Sequence, residues 1–511
     1  MNKLQQFLLL SFSIFIIGCG SEGSARDDST DGRVIPTTPI PIDDFSNREE
    51  YSTIYENIFK DVKTSPLSTF SVDVDTASYS NIRRYISVNE QLPPKDAVRT
   101  EEMLNYFSYS YNEPNSTHPF TINKYVGDTV WNSKTKIIHI GLQTQKVNFS
   151  ELPASNLVFL IDVSGSMSTS NKLPLLKESI KLLVEQLREK DTVSIVVYAS
   201  SLGLVLDKAK GNEKEKIVKA LDKLTAGGVT AGGEGIKLAY KVALESFIEE
   251  GNNRVILATD GDFNVGQTSE RELEELIEKK RESGVYLTVL GFGMGNYKDN
   301  KVETLADKGN GNYAYIDNLL EAKKVLVTDM GGTLYTVAKD VKIQVEFNPL
   351  NVSAYRLIGY ENRRLENEDF NNDNKDAGEV GMGHSVTVLY EIKPTSENLG
   401  SDVDELKYQE ATYTNLKDEL ATIKIRYKEP NSNSSKLISN IIKADDKDIE
   451  KQDFDFAQSV TGFSMILRDS QYRDNLTIEE LISLAKGSKG EDTEGYRTEF
   501  IELMRKAELL E

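Results

Sequence analysis

Long apolar runs separated by amphipathic ones dominate the middle of the chain. Residues 157–163, 192–198, 254–259, 285–292 and a short 313–316 are mostly aliphatic, as in strands buried on both faces. Between them apolar residues recur at helical spacing: Leu176, Ile180, Leu183 and Leu187 form one stripe, and Leu273, Leu276 and Ile277 another. Strands alternating with helices predict an α/β layer over 156–330, a doubly wound and mostly parallel sheet. The flanks read differently. Tyr51, Ile54, Tyr55, Ile58 and Phe59 fall at helical spacing and predict a short amphipathic helix. Phe70, Val72 and Val74 alternate as in a strand, and Asp75 or Thr76 is placed to cap a helix carrying Tyr79, Ile82 and Ile86. Met103, Leu104 and Phe107 mark another helix, and 119–147 reads as strands. From 340 to 427, VKIQVEF, VSAYRLIGY, HSVTVLYEI and LATIKIRY approximate strand alternation without helices between. Beyond 435 the pattern is helical, with Phe456, Val460, Phe463 and Leu467 on one face and a last helix from Tyr496 to Leu509. The two β-rich flanks are expected to close into one β-sandwich with the α/β layer inserted, because such a layer takes in and returns its chain at neighbouring points.

The N-terminus belongs to none of these layers. MNKLQQFLLLSFSIFIIGCG carries Lys3, an apolar run from Phe7 to Ile17, and then Gly18-Cys19. The run is too short for a bilayer and fits the apolar part of a signal peptide. Cys19 is the one cysteine of the chain, so no intramolecular disulfide can form. Residues 20–45 are polar and aperiodic with three prolines, a flexible tether. The expected division is a signal peptide at 1–18, a tether at 19–48, and an N-terminal region of helices then strands at 49–150. An α/β domain at 151–335, a β-rich domain at 336–430 and a helical region at 431–511 complete it. Acidic residues outnumber basic ones 81 to 60 in 511 residues, a formal charge of −21, which repels phosphate backbones and argues against nucleic acid as a partner.

Candidate chemistry gathers at the carboxyl ends of the α/β strands, where open sheets of this kind bind ligands. Asp162-Val163-Ser164-Gly165-Ser166 follows the first strand, GGVTAGGEG places Thr230 before a helix, and ATDGDFNVG places Asp260 at the end of another strand. Two carboxylates and three hydroxyls are hard oxygen donors that suit a small divalent cation, Mg²⁺ or Mn²⁺, with water completing an octahedron. Alone, DVSGS fits a helix N-cap at Ser164 or Ser166 equally well. A phosphate cradle lacks the lysine of GxxxxGK[ST], and GFGMG at 291–295 completes no GxGxxG and reads as the close of a strand. Asp262 reads as a solvated loop charge, and Asp73 and Asp75, although able to ligate a metal, fit the commoner roles of capping and solvation better. The histidines, His118, His139 and His384, lie outside the three loops, and neither HExxH nor GxSxG occurs, so a hydrolase is disfavoured.

Two resemblances sharpen this picture. Ile16-Ile17-Gly18-Cys19 resembles the bacterial lipobox, which implies cleavage before Cys19, lipidation of that residue and anchoring in the membrane by lipid. Gly20 in place of an aspartate favours the outer membrane over the inner in a diderm cell. DVSGS, the Thr230 loop and TDG resemble the metal-ion-dependent adhesion site of von Willebrand factor type A (VWA) domains. In that family the two serines coordinate the metal, the threonine does so directly or through water, and the aspartates act mostly through water. Carried over, the metal residues are Ser164, Ser166, Thr230, Asp162 and Asp260, with Mg²⁺ preferred and Mn²⁺ or Ca²⁺ as alternatives. A protein partner would complete the coordination with an acidic side chain. PLSTFSVDVDTASYSNIRRYI, LPPKDAVRTEEMLNYF, FNNDNKDAGEVGMGHSVTVLYEI and FAQSVTGFSMILRDSQYRDN extend the resemblance over about 50–511, to bacterial VWA lipoproteins of the YfbK type. A metal-stabilised structural envelope protein and, less favoured, a hydrolase remain as alternatives.

Overall fold

The computed structural model describes residues 49–511 except 115–117, 147–148, 200–201, 229–231, 262–269, 295–296, 398–415, 417 and 431. The signal peptide, the tether, Cys19, Thr230 and Asp262 therefore lie outside the described residues.

The apolar runs of the middle region form one sheet. Its order is Tyr313–Ile316, Val285–Phe292, Asn252–Thr259, Ser155–Asp162, Thr192–Tyr198 and Leu202–Lys210, parallel throughout except for the last strand. Successive residues of the central strand serve opposite layers. Leu157, Phe159 and Ile161 pack with Leu176, Ile180 and Leu183 of helix Leu173–Gln186. Val158 and Leu160 pack with Ile236, Tyr240 and Ile277 on the other side. Both faces are dry, which is why the strand reads as an unbroken apolar run. Leu202–Lys210 was not expected as a strand. It is an edge, with Leu202, Leu204 and Val205 exposed and Asp207, Lys208 and Lys210 interleaved, so it shows neither a buried run nor a clean alternation.

Two antiparallel sheets enclose a second core. One runs Lys60–Asp61, Val352–Ile358, Ser385–Pro394, Lys136–Thr144, Phe120–Asp128. The other centres on Thr336–Phe347, which pairs with Gly378–Gly381, Leu67–Ser71 and Glu419–Lys428; Ser435–Lys443 adds to the last. Ile138 and Ile140 of the first sheet share a cluster with Ile343, Val345, Ile423 and Ile425 of the second. Strands from before and after the α/β layer thus make one sandwich, as expected from the flanking patterns. The N-terminal helices Ala77–Ser87 and Thr100–Asn105 join the C-terminal helices Lys451–Arg468, Ile478–Gly487 and Tyr496–Glu508 in a third core around Phe107, Phe456, Phe463 and Phe500.

Three local expectations fail. Residues 51–59 form no helix: the segment is a strap whose Ile54 N–H donates to Asp96 Oδ1 and whose Asn57 Nδ2 donates to the Gly359 carbonyl, with Tyr55 and Ile58 largely exposed. Its helical spacing has no buried face behind it. Helix does not begin at 435 either, because Ser435–Lys443 pairs along the full length of Glu419–Lys428. Thr76 is the N-cap of Ala77–Ser87 but makes no side-chain cap bond, and the Asp75 carboxylate instead accepts the Tyr313 N–H at 2.9 Å. No helix among the described residues is long and apolar enough to cross a membrane.

Candidate metal centre

The strand Ser155–Asp162 ends in a fully buried carboxylate. Asp162 Oδ1 accepts the backbone N–H of Ser164 at 2.8 Å, which turns the chain sharply so that Ser164 and Ser166 face the crest. Their hydroxyls stand 3.0 Å apart. Asp162 Oδ2 is also buried and accepts no hydrogen bond of ordinary geometry. Burial pushes the Asp162 carboxyl up to about 6; the Ser164 hydrogen bonds oppose that shift and the charge of Asp260 adds to it.

Two backbone bonds tie the neighbouring loop to this turn. Gly165 N–H donates to the Gly228 carbonyl at 3.0 Å, and Gly227 N–H to the Val163 carbonyl at 2.8 Å. Helix Gly232–Glu245 starts shortly afterwards. Thr230 belongs to the undescribed stretch between Gly228 and Gly232.

Asp260 follows the strand Asn252–Thr259 at the same crest and is 5 % exposed. Its Oδ2 pairs with Lys172 Nζ at 2.8 Å. Lys172 is the N-cap residue of Leu173–Gln186, and its stem lies over Gly293, where an added Cβ would meet Lys172 Cε at 2.2 Å. Gly293 also has φ +85°, so no other residue fits comfortably. Lys172 is the side chain at this crest that sequence reasoning missed. A lysine at a helix start carries no motif, and only the fold brings it from the first loop to the third.

The described members of the expected site, Asp162, Ser164, Ser166 and Asp260, therefore share one crest. Their chemistry fits a hard dication. The set offers a buried carboxylate, two neutral hydroxyls and a second carboxylate that faces a cationic group. Octahedral coordination at about 2.1 Å puts adjacent oxygens ~3.0 Å apart, the spacing of the two serine hydroxyls. The imidazoles are elsewhere. His118 bonds Tyr427, His139 bonds Tyr111, and His384 packs against Gly332.

Three family models match: "von Willebrand factor" over residues 45–139, "von Willebrand factor type A domain" over 156–327, and "Uncharacterized protein YfbK, C-terminal" over 332–510. The Escherichia coli (strain K12) protein named "Uncharacterized protein YfbK" is 42 % identical over 468 residues, covering 90 % of this chain and 81 % of its own. The chain belongs to the YfbK family of VWA proteins. More distant relatives match the VWA portion. "Uncharacterized protein sll0103" of Synechocystis is 29 % identical over 33 % of this chain and 39 % of its own. The mouse "Inter-alpha-trypsin inhibitor heavy chain H3" is 27 % identical over 30 % and 18 %. Among solved structures, "von Willebrand factor type A from Catenulispora acidiphila" covers 76 % of this chain and 91 % of its own at 17 % identity, with a TM-score of 0.39.

Proposed function

We propose that this YfbK-family protein is a cell-envelope protein, anchored by lipid at Cys19, which binds a protein partner through a divalent cation held at the VWA crest. The observation that carries the reading is the pairing of the Ser164 and Ser166 hydroxyls, 3.0 Å apart, beside the buried Asp162 carboxylate. Mg²⁺ suits that spacing better than Ca²⁺, whose longer bonds separate neighbouring oxygens by ~3.4 Å.

The residues divide the work. Ser164 and Ser166 present neutral oxygens, so a cation between them keeps most of its charge and stays attractive to an incoming carboxylate. Asp162, fixed by the Ser164 N–H, orients that turn. Asp260 supplies the second negative charge at the rim, and the Lys172 ammonium beside it balances that charge. Thr230 belongs to this proposal by its place in the motif. A partner Asp or Glu would displace a water from the cation. Gly20 after Cys19 favours the outer over the inner membrane in a diderm cell. A binding role agrees with the crest, where no imidazole stands among the described residues to act as a base.

The test is capture of partners from envelope extract by wild type, Ser166→Ala and Asp260→Ala, followed by titration of the captured protein in Mg²⁺ or EDTA. Wild type with Mg²⁺ should bind at least tenfold tighter than the other combinations, and amidation of the partner's carboxylates should abolish the difference. Equal affinity in every arm would remove the crest from the interaction.

A further inference from the structure

The arginines around the N-terminal helices are held by carboxylates. At the seam with helix Asp299–Lys308 of the VWA layer, Arg99 reaches Glu102 Oε1 at 2.7 Å, Asp299 Oδ2 at 2.7 Å and Glu303 Oε2 at 2.9 Å. Arg363 closes the same seam, reaching Asp73 Oδ2 at 2.9 Å and Asp307 Oδ2 at 2.6 Å. The next residue departs from this pattern. Among the described residues, Arg364 has no ion-pair partner and no side-chain hydrogen bond, and neither has Lys60.

These two cations line one cavity of about 340 Å³, enclosed by the strap before Leu67–Ser71, the strand Val352–Ile358 and the turn at 361–367. Both stand on fixed backbone. Lys60 lies opposite Tyr355 in the sheet. Arg364 bridges Phe70, and the neighbouring Leu365 N–H donates to the Thr69 carbonyl at 3.0 Å. Burial first, and the Arg364 charge second, lower the pKa of the Lys60 ammonium, while Glu366 opposes the shift. The two carboxylates on the cavity wall are engaged elsewhere. Glu361 is taken by Arg468 at 2.8 Å, and Glu366 by the capping box of Asn367–Asn371. Acidic residues outnumber basic ones 81 to 60, so an unpaired pair of cations is not for want of carboxylates.

We propose that this cavity binds a phosphate group, taken up between the Lys60 ammonium and the Arg364 guanidinium. The charge count favours phosphate over a carboxylate. A phosphate monoester carries about −1.5 to −2 at pH 7 and answers both cations, whereas a single carboxylate answers one. The guanidinium supplies a planar fork and the ammonium a point charge, both of which phosphate oxygens accept. The wall adds neutral donors. Asn367 Oδ1 accepts the Thr69 hydroxyl at 2.9 Å, which leaves the Asn367 amide N–H groups to give, and Ser65 contributes a hydroxyl. The volume falls at the lower end of small-molecule pockets, ~300–1,000 Å³, so an ester fits as well as free phosphate. The cavity belongs to the sandwich, and the inference stands independently of the crest reading.

The experiment titrates inorganic phosphate, glucose 1-phosphate and glucuronate by calorimetry into the chelator-treated full chain at constant ionic strength. Without Mg²⁺, no cation at the crest competes for the anion. Both phosphates should give one saturable event, and glucuronate should bind at least tenfold more weakly. Tighter binding of glucose 1-phosphate than of inorganic phosphate would identify an ester as the ligand, and equal binding would identify free phosphate. Lys60→Met and Arg364→Met should each weaken the event at least tenfold, while the charge-keeping Lys60→Arg should stay within about threefold of wild type. Neither side chain holds an ion pair, so ligand-free melting temperatures of the variants should match wild type. Phosphate should raise the melting temperature of wild type and Lys60→Arg and leave that of the two methionine variants nearly unchanged. No saturable binding up to millimolar phosphate would overturn the inference. Equal affinities of wild type, Lys60→Met and Arg364→Met, or glucuronate binding as tight as glucose 1-phosphate, would overturn it too.

Discussion

Replacing Lys172 by methionine should tighten Mg²⁺ binding at the crest. The side chain keeps its stem over Gly293 and loses only the ammonium that pairs with Asp260 at 2.8 Å. A dication held between Ser164 and Ser166 has two ways to coexist with that ammonium. If Lys172 stays, the ions repel: at a separation of ~6 Å and an effective dielectric near 20, the cost is roughly 5 kcal/mol. If Lys172 swings out to solvent, the cost is a charge-assisted hydrogen bond, about 1.5–3 kcal/mol. The protein takes the cheaper route, so the swing sets the penalty. Lys172→Met removes it, and with ~1.4 kcal/mol per factor of ten the apparent affinity should rise between about tenfold and a hundredfold. Calorimetric Mg²⁺ titrations of wild type, Lys172→Met and Asp260→Ala measure this directly. An unchanged or weaker Mg²⁺ affinity in Lys172→Met would show that the cation does not share this corner with Asp260, and the crest assignment would fail with it.

Other expectations follow from separate parts of the molecule. Cys19→Ser should leave the protein off the membrane in cell fractionation; equal membrane association of mutant and wild type would exclude lipid anchoring through this residue. Arg99→Met strands Glu102, Asp299 and Glu303 without their shared cation, and should cost about 3–5 kcal/mol in chemical denaturation; a loss under ~1 kcal/mol would mean that the seam is not held there. His139 is fully buried, and burial lowers its pKa to about 3. The unfolded chain takes up a proton near pH 6.5 that the folded one refuses, so this group's contribution to stability is complete above that pH and declines as pH falls. Relative to His139→Gln, wild type should lose up to about 1.4 kcal/mol per pH unit between pH 6 and 4, and parallel pH–stability curves would refute the assignment.

The VWA sheet was legible because its strands are dry on both faces, so Leu157 to Ile161 advertise burial without interruption. Leu202–Lys210 was not, since an edge strand that protects itself with Lys208 and Lys210 loses the pattern that would reveal it. Ser435–Lys443 escaped for a related reason: most of its side chains face solvent and only Ile442 is buried, so register with Glu419–Lys428 makes it a strand. The strap at 51–59 shows the opposite error, apolar spacing without a layer to bury it. That Asp162, Ser164, Ser166 and Asp260 share one crest was readable because each lies at or just after the carboxyl end of a recognisable strand of the same parallel sheet. Lys172, Arg99 and Arg363 were invisible, because each acts on residues that only the tertiary fold brings near.

The sandwich has a consequence for how the chain comes into being. His139 lies opposite Leu389, about 250 residues later, and the whole VWA layer is made in between. At roughly 5–20 residues per second, the hairpin of Phe120–Asp128 and Lys136–Thr144 waits on the order of 10–50 seconds for its partner strand. During that interval Ile138, Ile140 and Leu142 have no opposing sheet, while the α/β layer already holds all its strands and can close. The molecule is therefore assembled from the inside outward, and its earliest-made strands are among the last to be covered. The apolar face of that hairpin is therefore what a holdase or the export machinery would have to shield in the interval.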